Sequence, residues 1–130
     1  MGRMPSVKDI ITQAVTSVWS ALGPGHSEAV YHAALKVELD FSIEVNLLSS
    51  GRCVPIMYKG HAVGRCELDL DFMTDTGVMC ILELKAIKGL RDDDRLQLLR
   101  YCRLFGHVHT MAILINFGSS VPEIKQVVSV

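Results

Sequence analysis

The stretch Val78-Met79-Cys80-Ile81-Leu82-Glu83-Leu84-Lys85-Ala86-Ile87 reads as a buried central strand into which two charges have been set. Ionised groups lose several kcal/mol on leaving water, so Glu83 and Lys85 must pair, bind a cation or lie at an opening in the fold. Their i, i+2 spacing puts both side chains on one face. Thr74-Asp75-Thr76-Gly77 separates this run from Arg65 to Met73, and turn-forming residues between two apolar strands predict a hairpin. With a three-residue turn and Gly77 left-handed, Thr74 faces Val78, Asp69 faces Glu83 and Glu67 faces Lys85; a two-residue turn would shift the pairing by one. Cross-strand Cβ atoms lie about 4.5–5.5 Å apart, close enough for Asp69 and Glu83 to share one hard cation through oxygen ligands. Mg²⁺ there would relieve the repulsion between the carboxylates, polarise a phosphate oxygen and lower the pKa of a bound water. The Lys85 ammonium would then orient the water or stabilise developing negative charge. The competing reading of the same residues is a structural ion pair at a strand end, Glu83 with Lys85 or Lys85 with Glu67.

Upstream, residues 6–22 place Ile10, Ile11, Ala14, Val15, Val18, Trp19 and Leu22 at helical spacing, and Ser6 before Asp9 has the pattern of a capping box. Gly23-Pro24-Gly25 ends that helix. Ser27 with Glu28 opens a second through about Leu39, with Val30, Ala33, Ala34 and Val37 on its apolar side. After Asp40 the period changes: Phe41, Ile43, Val45 and Leu47 alternate as in a half-buried strand, and another strand spans about 54–59 before a turn at Lys59-Gly60. Downstream, residues 92–105 return to helical spacing, with Leu96, Leu99, Cys102 and Leu104 on or near one face and Asp92 to Asp94 capping the positive end. Val108 to Phe117 is a near-continuous apolar run suited to a strand buried on both faces. No repeat, low-complexity tract or linker interrupts the chain. Residues 1–130 are therefore expected to form one α/β domain in the order helix, helix, three or four strands, helix, strand.

At 130 residues and 49% hydrophobic content the chain can bury a core, and its 14 acidic and 13 basic side chains do not advertise a polyanion binder in bulk. Local clustering does more. Lys85, Lys88, Arg91, Arg95, Arg100 and Arg103 fall within nineteen positions, a basic helix edge suited to phosphate backbone, although a solvated helix face explains Arg100 and Arg103 equally well. Cys53, Cys66, Cys80 and Cys102 form no C-x-x-C pair and read as reduced core thiols. His26, His32, His61, His107 and His109 show neither H-x-x-x-H nor H-x-N spacing and are read as structural. No apolar segment approaches the ~20 residues needed to cross a bilayer and no leader pattern is present, so a soluble, intracellular protein with no membrane partner is expected.

Further short motifs stand in order along the chain. Gly25-His26-Ser27-Glu28-Ala29-Val30-Tyr31 follows Gly23-Pro24, Tyr58-Lys59-Gly60 leads into the strand of Asp69, and Ile81-Leu82-Glu83-Leu84-Lys85-Ala86 holds the E-x-K. Gln97-Leu98-Leu99-Arg100-Tyr101 has the form Q-x-x-x-Y, and Ile115-Asn116-Phe117-Gly118 closes the last apolar strand. From about residue 8 to 128 the sequence resembles the GxxExxY family, a RecB-like branch of the PD-(D/E)XK nucleases. The resemblance implies a restriction-endonuclease-like α/β fold, a central mixed sheet flanked by helices. It also implies a nuclease dependent on Mg²⁺ or Mn²⁺ and acting on nucleic acid, DNA in the first place.

Carried over by position, the resemblance makes Asp69 and Glu83 the main metal ligands, with the Leu84 carbonyl a further one, Lys85 the catalytic lysine, and Glu28 directed toward the metal. Gln97 and Tyr101, one helical turn apart, would contact substrate phosphate or brace the site. Lys88, Arg91 and Arg95 supply the flanking positive charge. Leu68 stands in place of the superfamily's proline, Glu67 in place of a basic residue, and the interval from Asp69 to Glu83 is about four residues longer than is usual for the family. Asp71 is accordingly a rival ligand. The same departures keep open a second class of function, a catalytically silent module that binds nucleic acid or protein. The small surface of such a domain also makes a homodimer a partner to be tested.

Overall fold

The computed structural model describes residues 6–105 and 109–129, so His107 and Val108 lie outside the described residues. Helix α1 (Val7–Leu22) begins as its sequence dictates: the Ser6 hydroxyl accepts from the Asp9 amide and the Asp9 carboxylate accepts from the Ser6 amide, each at 3.1 Å. Its buried stripe is Ile10, Ile11, Ala14, Val15 and Val18. Gly23, at φ +69, turns the chain out of the helix and its amide closes on the Trp19 carbonyl at 2.9 Å.

Helix α2 (Glu28–Asp40) is capped by Ser27, whose hydroxyl accepts from the Val30 amide at 3.4 Å. Its buried face differs from the expected one. Tyr31, Leu35 and Leu39 go inward, while Val30 and Val37 stay 41% and 55% exposed. The larger side chains win because they bury more area, and because Tyr31 is fixed from several sides. Its ring stacks on Phe117 with centroids 4.5 Å apart and planes 3° off parallel, and its hydroxyl donates to the Gly23 carbonyl at 2.7 Å and accepts from the His26 amide at 3.2 Å.

Residues 41–44 form a turn rather than a strand. Ser42 bonds Glu44 at 2.8 Å and its carbonyl accepts from the Val45 amide at 3.3 Å, which leaves Phe41 and Ile43 facing solvent. What remains of the strand expected through Phe41 to Leu47 and the one expected at about 54–59 are parts of a single long strand, β1 (Val45–Tyr58). Then come β2 (His61–Thr74), β3 (Met79–Lys85), helix α3 (Asp92–Arg103), β4 (Thr110–Asn116) and β5 (Glu123–Ser129), the last a strand the sequence reading omits. The sheet order is β1-β2-β3-β4-β5, antiparallel except that β3 and β4 run parallel. A parallel pair needs a crossover, and α3 is that crossover.

Two apolar layers flank the sheet. On one face α1 and α2 pack on Leu70, Phe72, Cys80, Leu82, Leu84, Ile113 and Ile115. On the other, α3 packs through Leu98 on Leu68, Met79, Ile81, Ala112 and Leu114, and Leu96, expected on the inner face, is half exposed. The inner stripe of α3 runs through Asp94, Leu98, Tyr101 and Cys102, and Phe105 in the turn after it continues the line.

The end of β3 is fastened by Asn116, the fully buried polar residue of β4. Its amide donates to the Ile87 carbonyl at 2.9 Å and to Glu123 at 2.8 Å, and its carbonyl accepts from the Ile87 and Gly118 amides at 2.9 and 3.0 Å. This bracket draws Gly118 against the backbone of Ala86 and Ile87 so closely that a β-carbon there would run into both. Gly118→Ala is therefore expected to cost about 3 kcal/mol, the upper end of the range for overpacking, because backbone and not a flexible side chain stands in the way. Urea denaturation checks this; a midpoint equal to the parent's would refute it.

Candidate active site

The β2–β3 hairpin has the register that places two acids level with each other. Gly77 sits at φ +84, its amide donates to the Thr74 carbonyl at 3.0 Å, and the Thr74 amide donates to the Val78 carbonyl at 2.9 Å. The ladder then runs from Met73↔Met79 to Leu70↔Leu82. One further step sets Asp69 beside Glu83. On its other side, Asp69 stands across from Gly51, which interrupts the β1 ladder between Ser50↔Leu70 and Arg52↔Leu68 at φ +68. Freed from regular pairing on both sides, the Asp69 carboxylate turns to β3 and accepts from the Leu84 amide at 2.8 Å.

Glu83 is 5% exposed, and its Oε2 is buried with no hydrogen-bond partner among the described residues. Burial pushes its carboxyl up to about 9 from an ordinary 4.5, and Asp69 adds to the rise by charge and hydrogen bonding. The Lys85 charge opposes that rise, and the charge of Glu28, exposed on the first turn of α2, reinforces it.

Lys85 reaches away from β2 toward α3. Its ammonium donates to the Gln97 side chain at 3.5 Å and lies 3.9 Å from Asp94, so the pairing with Glu67 does not form; Glu67 is exposed and faces Cys53 across β1. Gln97 in turn donates to the Tyr101 hydroxyl at 2.9 Å, and burial together with the nearby Glu83 charge raises that phenol. Asp94 serves twice: its other oxygen accepts from the Arg91 amide at 2.8 Å and caps α3. The sequence offered only the capping role. The Leu84 amide is the donor to Asp69.

Asp71 is engaged elsewhere, held by Arg52 through Nη2–Oδ1 at 3.0 Å and Nε–Oδ2 at 3.2 Å. Burial raises its carboxyl, and Arg52 works against the rise. Lys88 is exposed in the bend after β3. Arg91 and Arg95 line a cavity of about 140 Å³ together with Leu114 and Lys125, toward β4 and β5. Lys125 was not singled out by the sequence because its strand was not. His26 and His32 make structural bonds, to the Leu22 carbonyl at 3.1 Å and the Ser50 hydroxyl at 3.0 Å.

A model of the PD-(D/E)XK nuclease superfamily matches residues 5–127. The chain belongs to the PD-(D/E)XK nuclease superfamily. No curated protein matches it. The five-stranded mixed sheet with its three helices agrees with the restriction-endonuclease-like fold of that superfamily, and nucleases of this kind typically use divalent metals. Among the described residues no three His, Cys, Asp or Glu side chains stand close enough together to hold a metal, and no helix is long and apolar enough to cross a membrane. The orphaned Glu83 oxygen beside Asp69 nevertheless fits a cation, which would satisfy an atom that otherwise bears an uncompensated desolvation cost.

The direction of the Glu83 shift fixes a pH dependence for the metal-free protein. Folded Glu83 holds its proton more tightly than unfolded Glu83, so its contribution to stability is complete below about pH 4.5 and is lost as pH rises toward 9. Glu83→Gln, neutral throughout, should remove that slope and be the more stable of the two at high pH. Urea unfolding in chelator at about pH 5 and about pH 8.5 measures the difference. Equal pH dependence in parent and variant would show that the carboxyl is not perturbed.

Proposed function

We propose that the chain is a DNA-cleaving nuclease that depends on Mg²⁺ or Mn²⁺, of the GxxExxY type in the RecB-like branch. One observation carries the reading: a buried, unpartnered carboxylate oxygen on Glu83, next to Asp69 and on the lysine-bearing strand of this superfamily's sheet. Asp69 and Glu83 would hold the metal, and Glu28 and the Leu84 carbonyl would fill its remaining protein positions. Bound metal supplies Lewis-acid polarisation of a phosphate oxygen and a more acidic water.

The chain's own residues supply the rest. Glu83 gives up its proton as the site loads, so binding is favoured by rising pH. Lys85, steadied by Gln97 and Asp94, presents a positive charge beside the two acids and stabilises charge developing on the phosphate. Tyr101 holds Gln97 in place, and the pair stands where a substrate phosphate would pass. Lys88, Arg91 and Arg95 bear on the phosphate backbone flanking the cut.

A second reading, a silent module that keeps the fold and binds nucleic acid without cutting it, is favoured by the lack of three converging ligands among the described residues. A rise in melting temperature with Mn²⁺ that vanishes in Asp69→Ala decides for the enzyme, and no rise decides for the module.

Glu83→Gln and Lys85→Ala are each expected to lower cleavage by about 10²-fold or more without unfolding the domain, since Glu83→Gln keeps the side-chain shape and Lys85→Ala gives up only the contacts with Gln97 and Asp94 at the edge of the core. Asp69→Asn should lose Mn²⁺ binding by isothermal titration, whereas Asp71→Asn should keep it, because Asp71 is spent on Arg52. A metal-supplemented screen of linear, circular, branched and single-stranded DNA reads cleavage, and full activity in excess chelator would rule the mechanism out.

A further inference from the structure

The β1–β2 pair is far longer than the sheet it belongs to. Each strand has 14 residues, yet β2 pairs with β3 only from Leu70 to Met73. Beyond Arg52↔Leu68 the two strands continue together to Tyr58↔His61, and every residue from Pro55 to Arg65 is exposed. The tip is a two-residue turn in which Lys59 (φ +48) and Gly60 (φ +80) are both left-handed, the geometry that follows the natural twist of a hairpin. It is a two-stranded ribbon standing clear of the domain.

Its charge is one-sided. From Val45 to Cys66 there is no acidic residue, in a chain whose net charge is -1. Arg52 is committed to Asp71 and to the Phe105 ring, 5.4 Å from its guanidinium carbon. Lys59, whose ammonium lies 5.5 Å from the exposed ring of its neighbour Tyr58 and has no acid beside it on the ribbon, and Arg65 are the cations left to the ribbon, with His61 at the turn and exposed Ile56, Met57 and Val63 between them. Two such ribbons laid against each other would bring like charges together with no acid to offset them. A polyanion meets the same surface without that cost.

We propose that residues 55–65 form an arm that lies along a DNA duplex next to the cut site, with Lys59 and Arg65 on backbone phosphates. The proposal rests on the nuclease reading and extends it to where the substrate runs. At about 3.3 Å per residue, β2 carries Arg65 about 13 Å and His61 about 26 Å from Asp69. With base pairs about 3.4 Å apart, the arm spans about eight of them beyond the metal site. A two-stranded ribbon of this kind also fits the width of a major groove.

The test is binding of a labelled duplex of about three helical turns, followed by fluorescence anisotropy in chelator so that cleavage plays no part. Lys59→Gln with Arg65→Gln on the full chain should weaken binding roughly tenfold at low salt. It should also reduce the slope of log K against log salt by about 1.8, or about 0.9 for each phosphate no longer neutralised. Melting temperature and Mn²⁺ binding should be unchanged, since neither residue touches the core or the acid pair. Equal affinity and slope in parent and variant would overturn the arm and leave the nuclease reading standing. A parent dimer that persists in the double variant and is converted to monomer by Met57→Asp, a charge set on the exposed apolar part of the ribbon, would also overturn it, by making the ribbon an interface between copies. A parent that binds no duplex and cuts no DNA would overturn the nuclease reading, and the arm with it.

Discussion

The pairing of β3 with β4 in parallel is the constraint from which the site follows. An antiparallel neighbour could have been reached by a short turn, whereas a parallel one obliges the chain to leave the sheet, cross a face and return. That crossing is α3, and the face it covers is the one on which Glu83 and Lys85 emerge. Asp94 and Gln97 therefore meet Lys85, with Tyr101 behind Gln97, because of the route the chain must take, and Asn116 at the end of β4 fastens the departure point. Connectivity and chemistry are settled by one choice of strand direction.

Within that frame the acids are held in tension. A carboxyl with an unpartnered buried oxygen is among the more costly groups a core can contain, and here it sits on a strand buried from Met79 to Leu84. A hydrophobic residue at the same place would give a more stable metal-free domain. The apolar layers on both faces supply the stability that this position gives up, and the Tyr31–Phe117 stack ties the helix bearing Glu28 to the residue that follows β4.

Much of this was legible in the residues. Gly77 behind Thr74-Asp75-Thr76 pointed to the hairpin and, for a three-residue turn, to the level of Asp69 and Glu83; a two-residue turn was open on the same residues, and the bonds between Thr74, Gly77 and Val78 select the longer one. Other features were hidden for identifiable reasons. The valines and alanines of α2 mark a weakly apolar side that competes with Tyr31, Leu35 and Leu39, and stacking on a distant phenylalanine decides between them. Phe41 and Ile43 alternate as a strand would, yet local Ser42 bonds fold them into a turn. The pairing of Arg52 with Asp71 and of Lys85 with Asp94 joins residues 19 and 9 positions apart on different elements, and no periodicity within one segment reports it. The edge strand β5 was passed over because its Glu123, Lys125 and Gln126 dilute the apolar signal.

The outermost strand has a further bearing on how the molecule behaves in a crowded cell. β1 is a free edge of 14 residues, and a straight edge of that length is a template on which another chain can add a strand and begin a fibril. Its line is broken three times. Leu47 and Gly51 turn left-handed, and Pro55 withholds an amide from the outer rim. An extended, partly apolar ribbon can therefore stay unzipped at working concentrations. Substitutions that straightened it, such as Pro55 to a β-branched residue, would be selected against through aggregation, even where the folded domain kept every interaction it makes.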